Sequence, residues 1–116
     1  KPSISLWGSG VPKREFVFVD DIVLACIQIL KTKISVDMLP INIGVGKDIS
    51  IKELAEIISK TVDYRGKILY DTSKPDGTFQ KVLDCSKIYN LGWKPKISLE
   101  EGVKRTIKDY YKKNSN

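Results

Sequence analysis

Residues 6–21, read as Leu-Trp-Gly-Ser-Gly-Val-Pro-Lys-Arg-Glu-Phe-Val-Phe-Val-Asp-Asp, constrain this chain more than any other stretch. Within it the backbone must turn, run extended and start a helix. Gly8 and Gly10 admit positive φ and a close backbone approach, and Pro12 stiffens the exit from the turn. The alternation over residues 15–19 predicts a strand with Phe16 and Phe18 on one face and Val17 and Val19 on the other. Asp20 reads as an N-cap and Asp21 as first-turn negative charge for a helix running to about Lys31. Residues 22–30 of that helix are apolar nearly all round, which predicts burial on several sides, more than an isolated small domain needs.

The same stretch carries chemistry suited to a ligand with phosphate and a flat ring. Arg14 stands at the mouth of the expected strand, where a planar guanidinium can hold a diphosphate bidentately. Trp7 offers an indole face for a base or a sugar. A hairpin turn beside a solvated rim charge accounts for the same residues, so their chemistry alone leaves both readings open.

Downstream, residues 41–44 predict a short strand ending in a second Gly-x-Gly. Ser50-Ile-Lys-Glu53 forms a capping box with Ile49 and Leu54 at the staple positions. Ile51, Leu54, Ala55, Ile58 and Val62 then fall at helical spacing, and a strand over residues 67–70 follows the Arg65-Gly66 turn. Residues 71–80 read as a polar loop built on Pro75-Asp-Gly77. A short extended piece over 81–84 leads to a short helix over 86–90, stopped by Leu91-Gly92. A second capping box, Ser98-Leu-Glu-Glu101, opens a terminal helix with Leu99, Val103, Ile107 and Tyr110 on one face. Gly102 costs that helix about 1 kcal/mol relative to Ala, so it depends on packing, and the tail from Lys112 is expected to fray. The pattern is α+β without internal repeats.

Composition narrows the class. A chain of 116 residues, 41% hydrophobic and 29% charged, reads as one globular domain or part of one, long enough to bury a core. No apolar run approaches the roughly 20 residues of a membrane span. The opening Lys-Pro-Ser has no signal-peptide core and no initiator Met, which predicts a piece of something longer. Cys26 and Cys85 are too few for a disulfide framework and are not spaced as metal ligands. With no His, a zinc site would need carboxylates. A reduced, cytoplasmic protein is the simplest expectation. The net charge of +6 favours anionic partners, although the cations run from Lys1 to Lys113 without forming a block.

The run Arg14-Glu-Phe-Val-Phe-Val-Asp-Asp21 resembles the Arg-x-Phe-x-x-Val-Asp-Asp signature of the extended short-chain dehydrogenase/reductases that act on nucleotide sugars. Trp7-Gly-Ser-Gly-x-Pro before it, and Ser73-Lys-Pro-Asp-Gly-Thr78 followed by Lys81, extend the resemblance over essentially the whole chain and point to members acting on a GDP-linked keto sugar. The resemblance implies that residues 1–116 are a single, partial domain. It would be the carboxy-terminal substrate-binding lobe of an α/β Rossmann-type enzyme, together with a strand and a helix that complete a missing Rossmann lobe. It implies an NADPH-dependent epimerisation and reduction in the full-length enzyme, with the NADPH site outside this chain, and a homodimer formed through the missing lobe. Nucleic acid and membrane are not expected partners. Trp7, Arg14, Asp76 and Lys81 stand at positions that contact the GDP-sugar in the family, while Phe18 replaces a common His.

Reduction would need a Gly-x-x-Gly-x-x-Gly turn and a helical Tyr-x-x-x-Lys pair. The turn is absent, and Tyr70-Asp-Thr-Ser-Lys74 matches only as a string, because Tyr70 ends an expected strand and Lys74 precedes Pro75. The family's epimerising Cys and His lie upstream, so Cys26 and Cys85 read as core or structural residues, and Asp20 and Asp21 as helix-capping. No catalytic residue is expected here. Two alternatives remain at this point. One is another epimerase or dehydratase of the superfamily acting on UDP- or dTDP-sugars, against which Trp7 and the Lys-Pro-Asp-Gly loop argue. The other is a basic α+β module binding a polyanion, against which the absence of a basic stripe interleaved with aromatics argues.

Overall fold

The computed structural model describes residues 2–114. Its first strand, β1 (Ser3–Trp7), pairs in parallel with β4 (Lys67–Asp71), placing Trp7 opposite Asp71. A second sheet has the order β3-β2-β5, built from β3 (Ile49–Ser50), β2 (Lys13–Arg14) and β5 (Gln80–Lys81). Helices α1 (Val19–Lys31), α2 (Ile51–Thr61), α3 (Ser86–Asn90) and α4 (Leu99–Asn114) surround them, with a 3-10 turn at Val36–Met38. The mixed α+β character is as expected.

The strand expected over residues 15–19 is replaced by something tighter. Only Lys13 and Arg14 pair in the sheet, because the Glu15 side chain takes over the bridging: Oε1 accepts from the Gly46 amide at 2.7 Å and Oε2 from the Leu83 amide at 2.8 Å. Helix α1 then starts at Val19 with Phe18 as its N-cap and no side-chain capping bond, so Asp20 is not the cap. Asp21, 1% exposed, is instead a cross-link, its Oδ2 accepting from the Lys96 and Ile97 amides at 3.0 and 2.9 Å. A buried carboxylate with two amide donors is well satisfied, and it fixes the 94–98 segment to the start of α1.

Residues 41–44 form no strand, since no described strand lies beside them to complete a ladder; Ile41 and Ile43 pack on the core instead. The Ser50–Glu53 capping box forms in full. At α4 only half of the expected box forms. The Glu101 amide donates to Ser98 Oγ at 3.2 Å, while the Glu101 carboxylate turns to Arg105 Nε at 2.8 Å. Gly102 is buried, and a Cβ there would come 3.2 Å from the Phe18 ring, so the glycine lets α4 close on Phe18. The helix continues to Asn114, past the point expected to fray.

The core is small: Ala25, Cys85, Ile88 and Trp93, with Ile29, Ile41, Ile43, Tyr89 and Leu91 packed against it. Within this chain α1 turns only Asp21 and Ala25 fully inward and leaves Cys26 exposed rather than in the core, so burial on several sides is not supplied by the described residues themselves. No helix of the described residues is long and apolar enough to cross a membrane, and among them no cluster could hold a metal ion.

Candidate nucleotide-binding site

Trp7 closes β1 with its indole 76% exposed, and Lys74 Nζ lies 5.5 Å from the ring centroid, within cation–π range. The chain then turns through Gly8 at φ +83° and Gly10 at φ +76°. These left-handed positions bring the turn against residues 75–78, far along the chain. The Ser9 amide donates to Asp76 Oδ1 at 2.8 Å and Ser9 Oγ donates to Asp76 Oδ2 at 2.6 Å. A Cβ at Gly8 would collide with Asp76 Oδ1. The Ser9 hydroxyl, and then its amide, hold the Asp76 carboxyl below its ordinary range.

Arg14 fastens the other end of the same turn. Its Nη1 donates to the carbonyls of Lys13 and Thr78, both at 2.6 Å. No ion pair among the described residues involves it. A Cβ on Gly77 would sit 2.9 Å from Arg14 Nη2, so glycine keeps that nitrogen clear.

Trp7, Arg14 and Asp76 thus line one cleft of about 110 Å³, with Pro12, Ile51 and Pro75 among its walls. Lys81 does not line that cleft. It stands opposite Arg14 in the parallel β2–β5 ladder, which sets the two side chains on one face of the sheet. Both line an adjoining cleft of about 610 Å³ with Val17 and Leu83. Arg14 also borders a third cleft, of about 500 Å³, that carries Lys47, Lys94 and Lys96. That cleft contains neither Trp7 nor the 75–78 turn. The other three sequence-derived positions, Trp7, Asp76 and Lys81, therefore each share a cleft with Arg14. Sequence reasoning missed Ser9, whose only signal was a hydroxyl between two glycines, and Glu15, whose carboxylate gave no local hint of its distant amide partners.

Tyr70 and Lys74 do not fit the nicotinamide-enzyme pair. Tyr70 lies on β4, whereas Lys74 follows it in a turn, its amide donating to Asp71 O at 3.2 Å. Cys85 is buried, and burial followed by the nearby Glu15 charge pushes its thiol up, away from the thiolate a nucleophile needs.

The pattern of the NAD dependent epimerase/dehydratase family matches residues 1–44. Over 107 residues the chain is 44% identical to a putative GDP-L-fucose synthase 2 of Arabidopsis thaliana, covering 92% of this chain and 32% of that protein. It is 45% identical over 112 residues to the GDP-L-fucose synthase of Escherichia coli K12, covering 90% and 35% respectively. A GDP-mannoheptose C4 reductase from Campylobacter jejuni, solved with NADP bound, superposes with a TM-score of 0.82 at 38% identity, over 93% of this chain and 34% of that one. The chain spans about a third of the length of the curated relatives it matches.

In fold and in sequence the chain is similar to the carboxy-terminal lobe of the extended short-chain dehydrogenase/reductases, enzymes of Rossmann-type architecture. Within that family it is similar, over nearly its whole length, to the carboxy-terminal third of GDP-L-fucose synthases.

Proposed function

We propose that this chain is the nucleotide-sugar-binding part of a GDP-L-fucose synthase, which converts GDP-4-keto-6-deoxymannose to GDP-L-fucose by epimerisation and NADPH reduction. The observation that carries the reading is the register of Arg14 with Lys81 beside the Trp7–Asp76 cleft. Two cations on one sheet face answer the two charges of a diphosphate, and Arg14 does so with a guanidinium whose Nη1 is already anchored. Trp7 supplies a flat face for the base or sugar. Each Asp76 oxygen accepts once from Ser9 and retains a lone pair for ribose hydroxyls or the guanine N1 and N2 donors.

The chemistry belongs to the rest of the protein. NADPH and the catalytic residues lie on the other lobe, against which α1 packs, and the full-length protein is a cytoplasmic homodimer joined through that lobe. Calorimetric titration tests this. The full-length protein is expected to bind GDP more tightly than UDP, and the isolated 116-residue chain to show neither NADPH affinity nor keto-sugar turnover. Absence of GDP binding would overturn the substrate assignment, and a preference for UDP would move the protein to a different epimerase or dehydratase. Turnover by the isolated chain would refute the division of labour.

A further inference from the structure

The turn at residues 75–78 is joined to the 7–14 segment at both ends although the two lie more than sixty residues apart in sequence. At one end Ser9 gives both its amide and its hydroxyl to the two Asp76 oxygens, and Ser9 Oγ also accepts from the Val11 amide at 3.1 Å, which orients the hydroxyl. At the other end Arg14 Nη1 holds Thr78 O, and a Cβ on residue 77 would come 2.9 Å from the neighbouring nitrogen, so any side chain there must displace the guanidinium from its present position. We propose that Ser9 and Gly77 are positioning residues of the nucleotide site: Ser9 fixes Asp76, and Gly77 leaves room for the Arg14 guanidinium, so the turn is closed on the Trp7 cleft before nucleotide arrives. The inference rests on the nucleotide-sugar reading above and adds two residues, Ser9 behind Asp76 and Gly77 on the wall of the same cleft.

The physical reason is preorganisation. A polar turn ordered only on binding would charge its ordering entropy to the affinity, whereas one already clasped does not. The two residues act on different parts of the ligand. Gly77 governs the guanidinium, so its effect requires phosphate on the ligand; Ser9 governs Asp76, so its effect extends to the nucleoside.

The experiment uses the full-length protein, with GDP and guanosine as probes, and the variants Ser9→Ala, Ser9→Thr and Gly77→Ala, each checked by thermal melting. Gly77→Ala is expected to weaken GDP about tenfold and to leave guanosine within about twofold. Ser9→Ala is expected to weaken both by about threefold to tenfold, and Ser9→Thr to restore them. Carboxyl carbon NMR supplies a readout without ligand: Ser9→Ala moves the Asp76 titration upward towards the ordinary aspartate value and Ser9→Thr moves it back. Wild-type binding of GDP with unchanged affinity in Gly77→Ala and Ser9→Ala would overturn the proposal, as would an Asp76 titration indifferent to Ser9→Ala. If the wild type binds no GDP, the nucleotide reading falls, while the Asp76 titration still decides whether the clasp exists.

Discussion

Arg14 divides its work between the protein and a ligand. Nη1 is held by two carbonyls, and Glu15, the carboxylate next to it in sequence, is occupied by the Gly46 and Leu83 amides. A guanidinium fixed by carbonyls keeps its full positive charge for an anion, which a guanidinium in an ion pair does not. Arg14→Lys is therefore expected to weaken GDP-sugar binding in the full-length protein by roughly 1 to 3 kcal/mol, because one ammonium cannot hold two carbonyls and a diphosphate together. NADPH affinity should hardly change. Calorimetry with GDP on the two proteins checks this, and equal affinities would sink the diphosphate role. Trp7, Arg14 and Asp76 were legible in the sequence because each stands in a short string with a chemical meaning. Ser9 was not, since what makes it matter is a bond to a carboxylate brought near only by two left-handed glycines.

At the scale of elements, the helices were the legible part. The capping box and apolar spacing of α2 are local signals, and so are the Gly92 stop of α3 and the amphipathic face of α4. The strands over 15–19 and 41–44 were misread for one reason: a ladder needs a neighbour, and alternation in one segment says nothing of whether a neighbour exists or whether a side chain has replaced it. Glu15 is such a replacement. Asp21 is another, reaching past the helix it was expected to help start and gripping the segment that leads into α4. Removing it strands two amides near the core, so Asp21→Ala is expected to destabilise the fold by about 2 to 4 kcal/mol, while Asp21→Asn, which keeps an acceptor oxygen, should cost less. Urea unfolding measures the difference, and hydrogen exchange at the Lys96 and Ile97 amides localises it. Unchanged protection of those amides in Asp21→Ala would show that the cross-link carries no stability.

The whole molecule is more open than its length predicts. A radius of gyration of 17.2 Å compares with about 13 Å for a compact domain of this size, and its principal extents are 53 × 37 × 20 Å. Val19, Val23, Ile27 and Leu30 recur at helical spacing down α1 and form an outward apolar stripe, with Leu30 85% exposed. Trp93, whose indole N–H has no acceptor among the described residues, borders a cleft beside the same helix with Leu24, Ile27 and Lys31. An apolar stripe of this kind drives association when left in water. The isolated chain should therefore self-associate and bind a hydrophobic dye, and a charge in the middle of the stripe, as in Val23→Lys, should reduce both without disturbing the Ala25 side of the helix. Sedimentation velocity over a concentration series reads the association directly. A wild-type chain that sediments as a monomer at every concentration and leaves the dye dark would mean that α1 needs no partner, and the assignment of this helix to a second lobe would fail with it.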